Sequence, residues 1–288
     1  MPSLGVVMTC FNRRDKTLEA LSHIFDSDLP ASVQLCAYVT DDGSSDGTAE
    51  ALSKAFPSVR VLHGSGSLYW NGGMRSSLAA AYADRVDYVL WLNDDTFVTR
   101  SAIRELLDAE SRCAQKTGDA VVIAGTTRDS STDSVTYGGV RFPVWWKKTT
   151  PRVVEPLNGD AECETMNGNI VLVPREIYLK VGNLEASFIH GLGDFDYGFR
   201  VRKEGFRIFA ASGRHGFCSR NNNEGTFRDS NLTLGKRWSL VCGPKGRPPG
   251  PWAVFTRRHC GPLWFLYWAW PYLYTLVSSA TISRRKES

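Results

Sequence analysis

No two of the seven cysteines are spaced as CxxC, and their number is odd. That argues against both a disulfide framework and a zinc ribbon. The thiols at 10, 36, 113, 163, 218, 242 and 260 read as reduced, as in a cytosolic protein. Charge of one sign is also scarce. A net +4 over 288 residues does not imply nucleic acid, although it suits an anionic ligand or an anionic membrane face. No basic stretch precedes the first apolar run. Met1-Pro2-Ser3 leads directly into Leu4–Thr9, so a secretory signal is not expected. Internal repeats and low-complexity segments are lacking. So is a dinucleotide fingerprint: no GxGxxG follows the first strand, and Tyr69 stands where Gly64 and Gly66 would require a third glycine.

What is present is 42% hydrophobic, enough for one large α/β domain or a domain with an appendage. Apolar runs predict strands at Leu4–Thr9, Val33–Thr40, Val59–His63, Tyr88–Leu92, Val121–Ala124, Ile170–Val173 and Phe206–Ala210. Helical patterns fall between them at Asp15–Phe25, Thr48–Phe56, Gly72–Ala83, Ser101–Glu110 (behind a serine cap), Arg175–Val181 and Asp196–Glu204. This alternation predicts a mainly parallel sheet covered on both faces. After about residue 125 the pattern becomes irregular: Asp129–Ser134 reads as loop, and Tyr137–Gly139 and Val144–Lys148 as irregular or hairpin structure.

Ligands of parallel α/β sheets sit beyond the carboxyl ends of the strands, where three polar clusters lie. Thr9-Cys10-Phe11-Asn12-Arg13 follows the first strand. Asp41–Thr48, DDGSSDGT, follows the second; its Asp42 can accept from a base N–H or a ribose hydroxyl, or belong to an ordinary strand–turn–helix connection. Asn93-Asp94-Asp95 ends an apolar strand on two adjacent carboxylates, which repel each other and resist desolvation. Water, a basic partner or a divalent cation must compensate them.

Further along, Asp194 and Asp196 stand at a helix start. Asp196 suits a cap, which leaves Asp194 free to act as a general base. Arg75, in the first turn of the helix after the Gly72-Gly73 pair, suits phosphate oxygens. His215 is a candidate metal ligand or a structural histidine, and His190 is open in the same way.

Together VVMTCFNR, DDGSSDGT, WLNDDT, MNGNIVLVPR and GDFDYGFRVRKEG resemble the family 2 inverting glycosyltransferases of GT-A fold, of the bacterial surface-glycan, rhamnosyltransferase-like type. The matching segments span Val6 to Gly205 in the family's order. The resemblance implies a Rossmann-like α/β fold and a UDP- or dTDP-linked sugar donor. It implies an acceptor hydroxyl on a glycan or lipid-linked oligosaccharide, and Mg²⁺ or Mn²⁺. Thr9, Asn12, Arg13, Asp42, Arg75 and Asp94 would then serve the donor, Asp95 the metal with His215 as a further ligand, and Asp194 the proton. Asn167, Gly168 and Asn169 match a loop beside donor sugar and acceptor. In many relatives a glutamate precedes the base, where this chain has Gly193. The QxxRW of processive members is reduced to Arg237-Trp238, with Leu234 at the glutamine position, which favours a single transfer. Residues 1–125 would form the donor half, 126–215 the acceptor-binding and catalytic half, and 216–288 an extension.

That extension carries Gly261–Ile282, which has no charged residue and is flanked by Arg257-Arg258 and Arg284-Arg285-Lys286. Its length permits a membrane span, but Pro271 and the dense Trp and Tyr favour an interfacial position at the inner face of the cell membrane. Packing on the body or on a second copy is the alternative.

Overall fold

The computed structural model describes residues 1–143, 151–220 and 223–287, and side chains to 278; the expectation for Val144–Lys148 lies outside the described residues. The chain runs β1 (Ser3–Cys10), α1 (Arg14–Phe25), β2 (Gln34–Asp41), α2 (Thr48–Ala55), β3 (Val59–His63), α3 (Tyr69–Ala83), β4 (Tyr88–Leu92), β5 (Phe97–Val98) and α4 (Ala102–Thr117). It continues through β6 (Val121–Ala124), β7 (Thr127–Arg128), β8 (Val135–Tyr137), β9 (Gly139–Arg141), β10 (Arg152–Val153), β11 (Ala161–Cys163), β12 (Thr165–Met166), β13 (Ile170–Pro174), α5 (Arg175–Val181) and α6 (Gly193–Lys203). The last elements are β14 (Arg207–Ala210), β15 (Gly216–Phe217), α7 (Leu234–Cys242), α8 (Pro249–His259) and α9 (Trp264–Glu287).

Eight strands form the central sheet in the order β11-β14-β6-β13-β4-β1-β2-β3. Only β11 and β13 run against the rest. Alternate residues of β1 face opposite layers: Leu4, Val6 and Met8 pack with Leu21, Ile24, Leu52 and Leu106, whereas Val7 packs with Met74, Leu78 and Tyr197. The mixed direction matters for the site. Because β13 is antiparallel to β4, with Ile170 opposite Leu92, it is its N-terminal end that reaches the carboxyl edge of the sheet. Asn167–Asn169 therefore arrive beside Asn93–Asp95.

Three helix boundaries depart from the sequence expectation. α3 begins at Tyr69, because the remote Asp42 carboxylate accepts the Tyr69 N–H that a local cap would otherwise take. α4 runs on to Thr117, its buried stripe continuing through Ala109 to Cys113 until Gly118 turns left-handed at φ +82°; Ser101 makes no side-chain cap bond. α6 begins at Gly193, so Asp196 lies inside the first turn and is not a cap.

The C-terminal helices are joined to the catalytic half by more than contact. Phe188, Val241, Trp252, Phe255 and Tyr272 share one apolar cluster. Asp196, fully buried, accepts from Arg200 (2.8 Å), Arg258 (2.7 Å) and His259 (2.8 Å), and Arg258 also reaches Glu185 (2.9 Å). β15, at the start of the expected extension, still pairs with β5 and β7. Among the described residues no helix is long and apolar enough to cross a membrane.

Candidate active site

The loop after β1, the loop after β2, the end of β4, the turn before β13 and the start of α6 converge at one edge of the sheet. At its centre the two carboxylates of β4 share a basic partner. Arg13 Nη1 donates to Asp94 Oδ1 (3.1 Å) and Asp95 Oδ2 (2.8 Å). Asp94 is largely buried, and that burial lifts its carboxyl to about 6; Arg13 opposes the rise and Asp95 adds to it. Cys218 Sγ lies 3.8 Å from Asp95 Oδ1, and its burial raises the thiol to about 11. Asp94 and Asp95 are hard oxygen donors converging on one cation. That suits Mg²⁺ or Mn²⁺, which take one or two carboxylates and complete their shell with water and substrate phosphates. Among the described residues no third histidine, cysteine or acid completes a protein-only cage.

Asp42 is buried, and its two oxygens accept from Gly66 N–H (2.9 Å) and Tyr69 N–H (3.0 Å), which holds the β3–α3 loop over the β2 terminus. Asn12 ties the neighbouring loops together, accepting from Ser45 N–H (2.8 Å). Thr9 is buried and donates to the Thr40 carbonyl (3.2 Å).

Asp194 is half-buried. Its carboxylate accepts from Phe195 N–H (2.8 Å) and Gly168 N–H (3.2 Å). Burial lifts it to about 6, against these two bonds and the nearby charge of Arg247. Gly168 is required there by close approach, since a Cβ would overlap the Trp70 ring. Trp70 in turn donates from Nε1 to Asn93 Oδ1 (2.8 Å), and Asn93 N–H donates to the Asn169 carbonyl (3.2 Å). Asn169 Nδ2 reaches Thr96 Oγ1 (3.4 Å) and Cys218 Sγ (3.5 Å). Thus Trp70 and the Asn167–Asn169 turn bridge the β4 carboxylates and Asp194. Gly193 also has a steric reason: a Cβ would overlap Asn71 Oδ1, so the Asn71 carboxamide fills the space that a residue before Asp194 would claim. Asn71 pins the preceding loop by donating to the carbonyls of Glu185 and Phe188 (both 2.9 Å).

Two expected site residues are not brought to this cluster. The Arg75 guanidinium is taken by the Leu184 carbonyl, and its own carbonyl accepts from Asn183 (2.9 Å), so it braces α3 against the segment before α6. His215 is buried, accepts from Thr126 N–H at Nδ1 (3.1 Å) and turns Nε2 to Glu105 at 3.7 Å; its ring nitrogens face α4 and β7, not Asp95. Burial holds it neutral by lowering its pKa. His190 behaves similarly. Its burial and the charges of Lys245 and Arg13 lower it to about 4.

Trp70, Cys218 and Arg247 were not singled out by the sequence. Their chemistry was visible, but no motif joins positions so far apart.

The family model described as glycosyl transferase family 2 matches residues 5–168. The N-acetylglucosaminyl-diphospho-decaprenol L-rhamnosyltransferases of two Mycobacterium tuberculosis strains are each 26% identical over 227 residues, covering 72% of this chain and 71% of the relative. S. aureus TarS 1-349 in complex with UDP-GlcNAc superposes with a TM-score of 0.56 at 12% identity, over 89% of this chain and 71% of that one. The UDP complex of the same protein gives 0.55 at 12% identity, over 89% and 70%.

Proposed function

The chain belongs to glycosyl transferase family 2, and we propose that it moves a single sugar, with inversion, from a UDP- or dTDP-linked donor to a hydroxyl of a glycan or lipid-linked oligosaccharide. The observation that carries this reading is that two carboxylate sites at one sheet edge are bridged by a single hydrogen-bonded turn. The Asp94–Asp95 pair with Arg13 stands on one side and Asp194 on the other, joined by Trp70, Asn93 and the Asn167–Asn169 turn.

Asp94 and Asp95 would hold Mg²⁺ or Mn²⁺, which supplies charge neutralisation to a departing diphosphate. Asp42, with the loop it anchors, faces the nucleoside. Asp194 accepts the acceptor proton: the acceptor oxygen forms its bond to the anomeric carbon, the bond from that carbon to the phosphate oxygen breaks, and the nucleoside diphosphate leaves with the electron pair. A carboxylate with a pKa near 6 is a stronger base than an ordinary aspartate and is still ionised at neutral pH. One displacement without a covalent intermediate inverts configuration.

A single transfer is supported by Arg237. It is buried and donates to the Phe227 carbonyl (2.8 Å) and Ser278 Oγ (2.8 Å), so it clamps α7 to α9. A lipid-linked acceptor is supported by α9, whose outer face exposes Leu266, Trp270, Leu273 and Val277 at helical spacing. Beyond it the sequence Arg284-Arg285-Lys286 adds positive charge that suits an anionic membrane surface. The mycobacterial relative's name, with its diphospho-decaprenol acceptor, points the same way.

The test is a screen of UDP- and dTDP-sugars for diphosphate release, with Mg²⁺ or Mn²⁺ and with chelator. Asp194→Asn should bind donor nearly as wild type and transfer about 10²–10⁴-fold more slowly. Release with no sugar nucleotide, or an Asp194→Asn protein that transfers at the wild-type rate, overturns the assignment.

A further inference from the structure

The cations around this site divide into two groups. Arg13 is bound to Asp94 and Asp95, and Arg200 and Arg258 are bound to Asp196 and Glu185. Arg247, on the loop between α7 and α8, has no carboxylate within ion-pair distance among the described residues. Among the described residues its guanidinium makes one hydrogen bond, from Nη1 to the adjacent Gly246 carbonyl (3.0 Å). A guanidinium carries five N–H donors in a fork, so most of this one is unfilled.

The side chain is nevertheless held in place. Arg247 N–H donates to the Val241 carbonyl (2.6 Å), its own carbonyl accepts from the Tyr272 hydroxyl (2.6 Å), and its Cζ lies 5.2 Å from the centre of the Trp252 ring. It is half-buried. Burial together with the like charge of Arg228 lowers it to about 10, and the charge of Asp194 is the largest that opposes them. Arg228 is exposed, stacked over Phe227 at 5.5 Å, and has no ion pair among the described residues. Lys245, exposed on the same loop as Arg247, is near enough to help keep His190 neutral. Like charges gathered at a partly desolvated site repel unless an anion joins them, and the carboxylate that opposes the charge of Arg247 is Asp194, the one that must stay free to take a proton.

We propose that Arg247, Arg228 and Lys245 form a phosphate-binding subsite on the C-terminal side of Asp194, which grips a phosphate or diphosphate carried by the acceptor. This rests on the reading of Asp194 as the base. The donor's diphosphate belongs with Arg13 and the β4 carboxylates across the turn. A forked guanidinium suits a tetrahedral oxyanion through paired N–H bonds, and the exposed Arg228 and Lys245 add charge at the mouth. The acceptor would be held by its anionic link while its sugar hydroxyl lies against Asp194. The apolar face of α9 belongs to the same helical unit, so a lipid tail beyond the phosphate has a surface to follow.

The probe is geranyl diphosphate, titrated by calorimetry into the full-length protein already saturated with UDP and Mg²⁺, and compared with UDP titrated alone. The variants are Arg247→Gln, Arg228→Gln and Lys245→Gln. Geranyl diphosphate should bind the UDP-saturated protein. Arg247→Gln should weaken it about tenfold or more, the scale of lost charge-assisted hydrogen bonds, and Arg228→Gln and Lys245→Gln by less. UDP affinity should change by less than about threefold. An equal loss of UDP affinity would move the subsite to the donor's diphosphate and overturn the proposal. So would unchanged geranyl diphosphate binding accompanied by a shifted acidic limb in the rate profile, which would reduce Arg247 to a group tuning Asp194. Neither titration depends on turnover, so a failure of the transferase reading would appear separately, as absent sugar-nucleotide cleavage.

Discussion

Arg13 Nη1 lies 2.8 Å from Asp95 Oδ2, and the same nitrogen lies 3.1 Å from Asp94 Oδ1. One guanidinium nitrogen therefore stands where a divalent cation would be shared. Arg13→Gln should leave the two carboxylates uncompensated and destabilise the metal-free protein at pH 8. Arg13 is half exposed, so the expected cost is on the order of 1 kcal/mol. Added Mg²⁺ or Mn²⁺ should restore the melting temperature of this variant more than that of wild type. Equal metal responses in thermal melts would show that Arg13 and the cation do not share the site.

The pH dependence follows from Asp194. Its folded-state pKa, about 6, is above the ordinary 3.8, so the folded protein prefers the protonated form and ionisation costs stability as pH rises through about 6. The transfer rate should follow the opposite course, rising through the same range as the base ionises. Asp194→Asn should remove that limb from any residual activity. It should also stabilise the fold by roughly 1–3 kcal/mol at pH 8, and by nothing below about pH 3, where both states of the wild type are protonated. Denaturant titrations at the two pH values read this directly.

Asp42 has two jobs that can be separated. Its carboxylate holds the Gly66 and Tyr69 N–H groups, and in the proposed function it faces the nucleoside. Asp42→Ala should weaken nucleoside diphosphate binding by about 1–3 kcal/mol, the scale of a lost bond to a charged group. Wild-type affinity measured by calorimetry, with only the melting temperature lowered, would leave Asp42 as a loop anchor.

Asp196 is the opposite case, a carboxylate with no role to spare for chemistry. Burial would raise its pKa, but bonds from His259, Arg200 and Arg258 hold it below the usual range. Asp196→Leu removes the shared partner of Arg200, Arg258 and His259 and should destabilise the protein by about 3–5 kcal/mol in denaturant unfolding. A loss below about 1 kcal/mol would mean that α8 is held by the apolar cluster alone.

Truncating α9 would remove Tyr272 and expose Trp252 and Phe255 beneath it, so membrane attachment is better tested on its outer face. Trp270→Glu with Leu273→Glu changes two exposed side chains and should leave the fold intact. Co-sedimentation with phosphatidylglycerol-rich vesicles should fall several-fold. Unchanged sedimentation would turn attention to a second copy of the chain, which sedimentation velocity would detect.

The local elements were largely decided by the sequence. β4, β6 and α5 begin and end where their apolar runs and flanking residues place them, because short strands buried on both faces must be continuously apolar and a helix behind Pro174 starts where its φ is already set. The order of polar clusters at strand ends was legible for the same reason: each interrupts an apolar run. Tertiary structure decided what those clusters do to one another. That β13 runs antiparallel, bringing Asn167–Asn169 to Asn93, depends on strand pairing across tens of residues, which local pattern does not encode. Arg13 between Asp94 and Asp95, Asp42 at the start of α3 and Asp196 among Arg200, Arg258 and His259 are partnerships of the same kind. A charged side chain advertises that it needs a counter-charge, but only the folded chain, by desolvating it, selects which one.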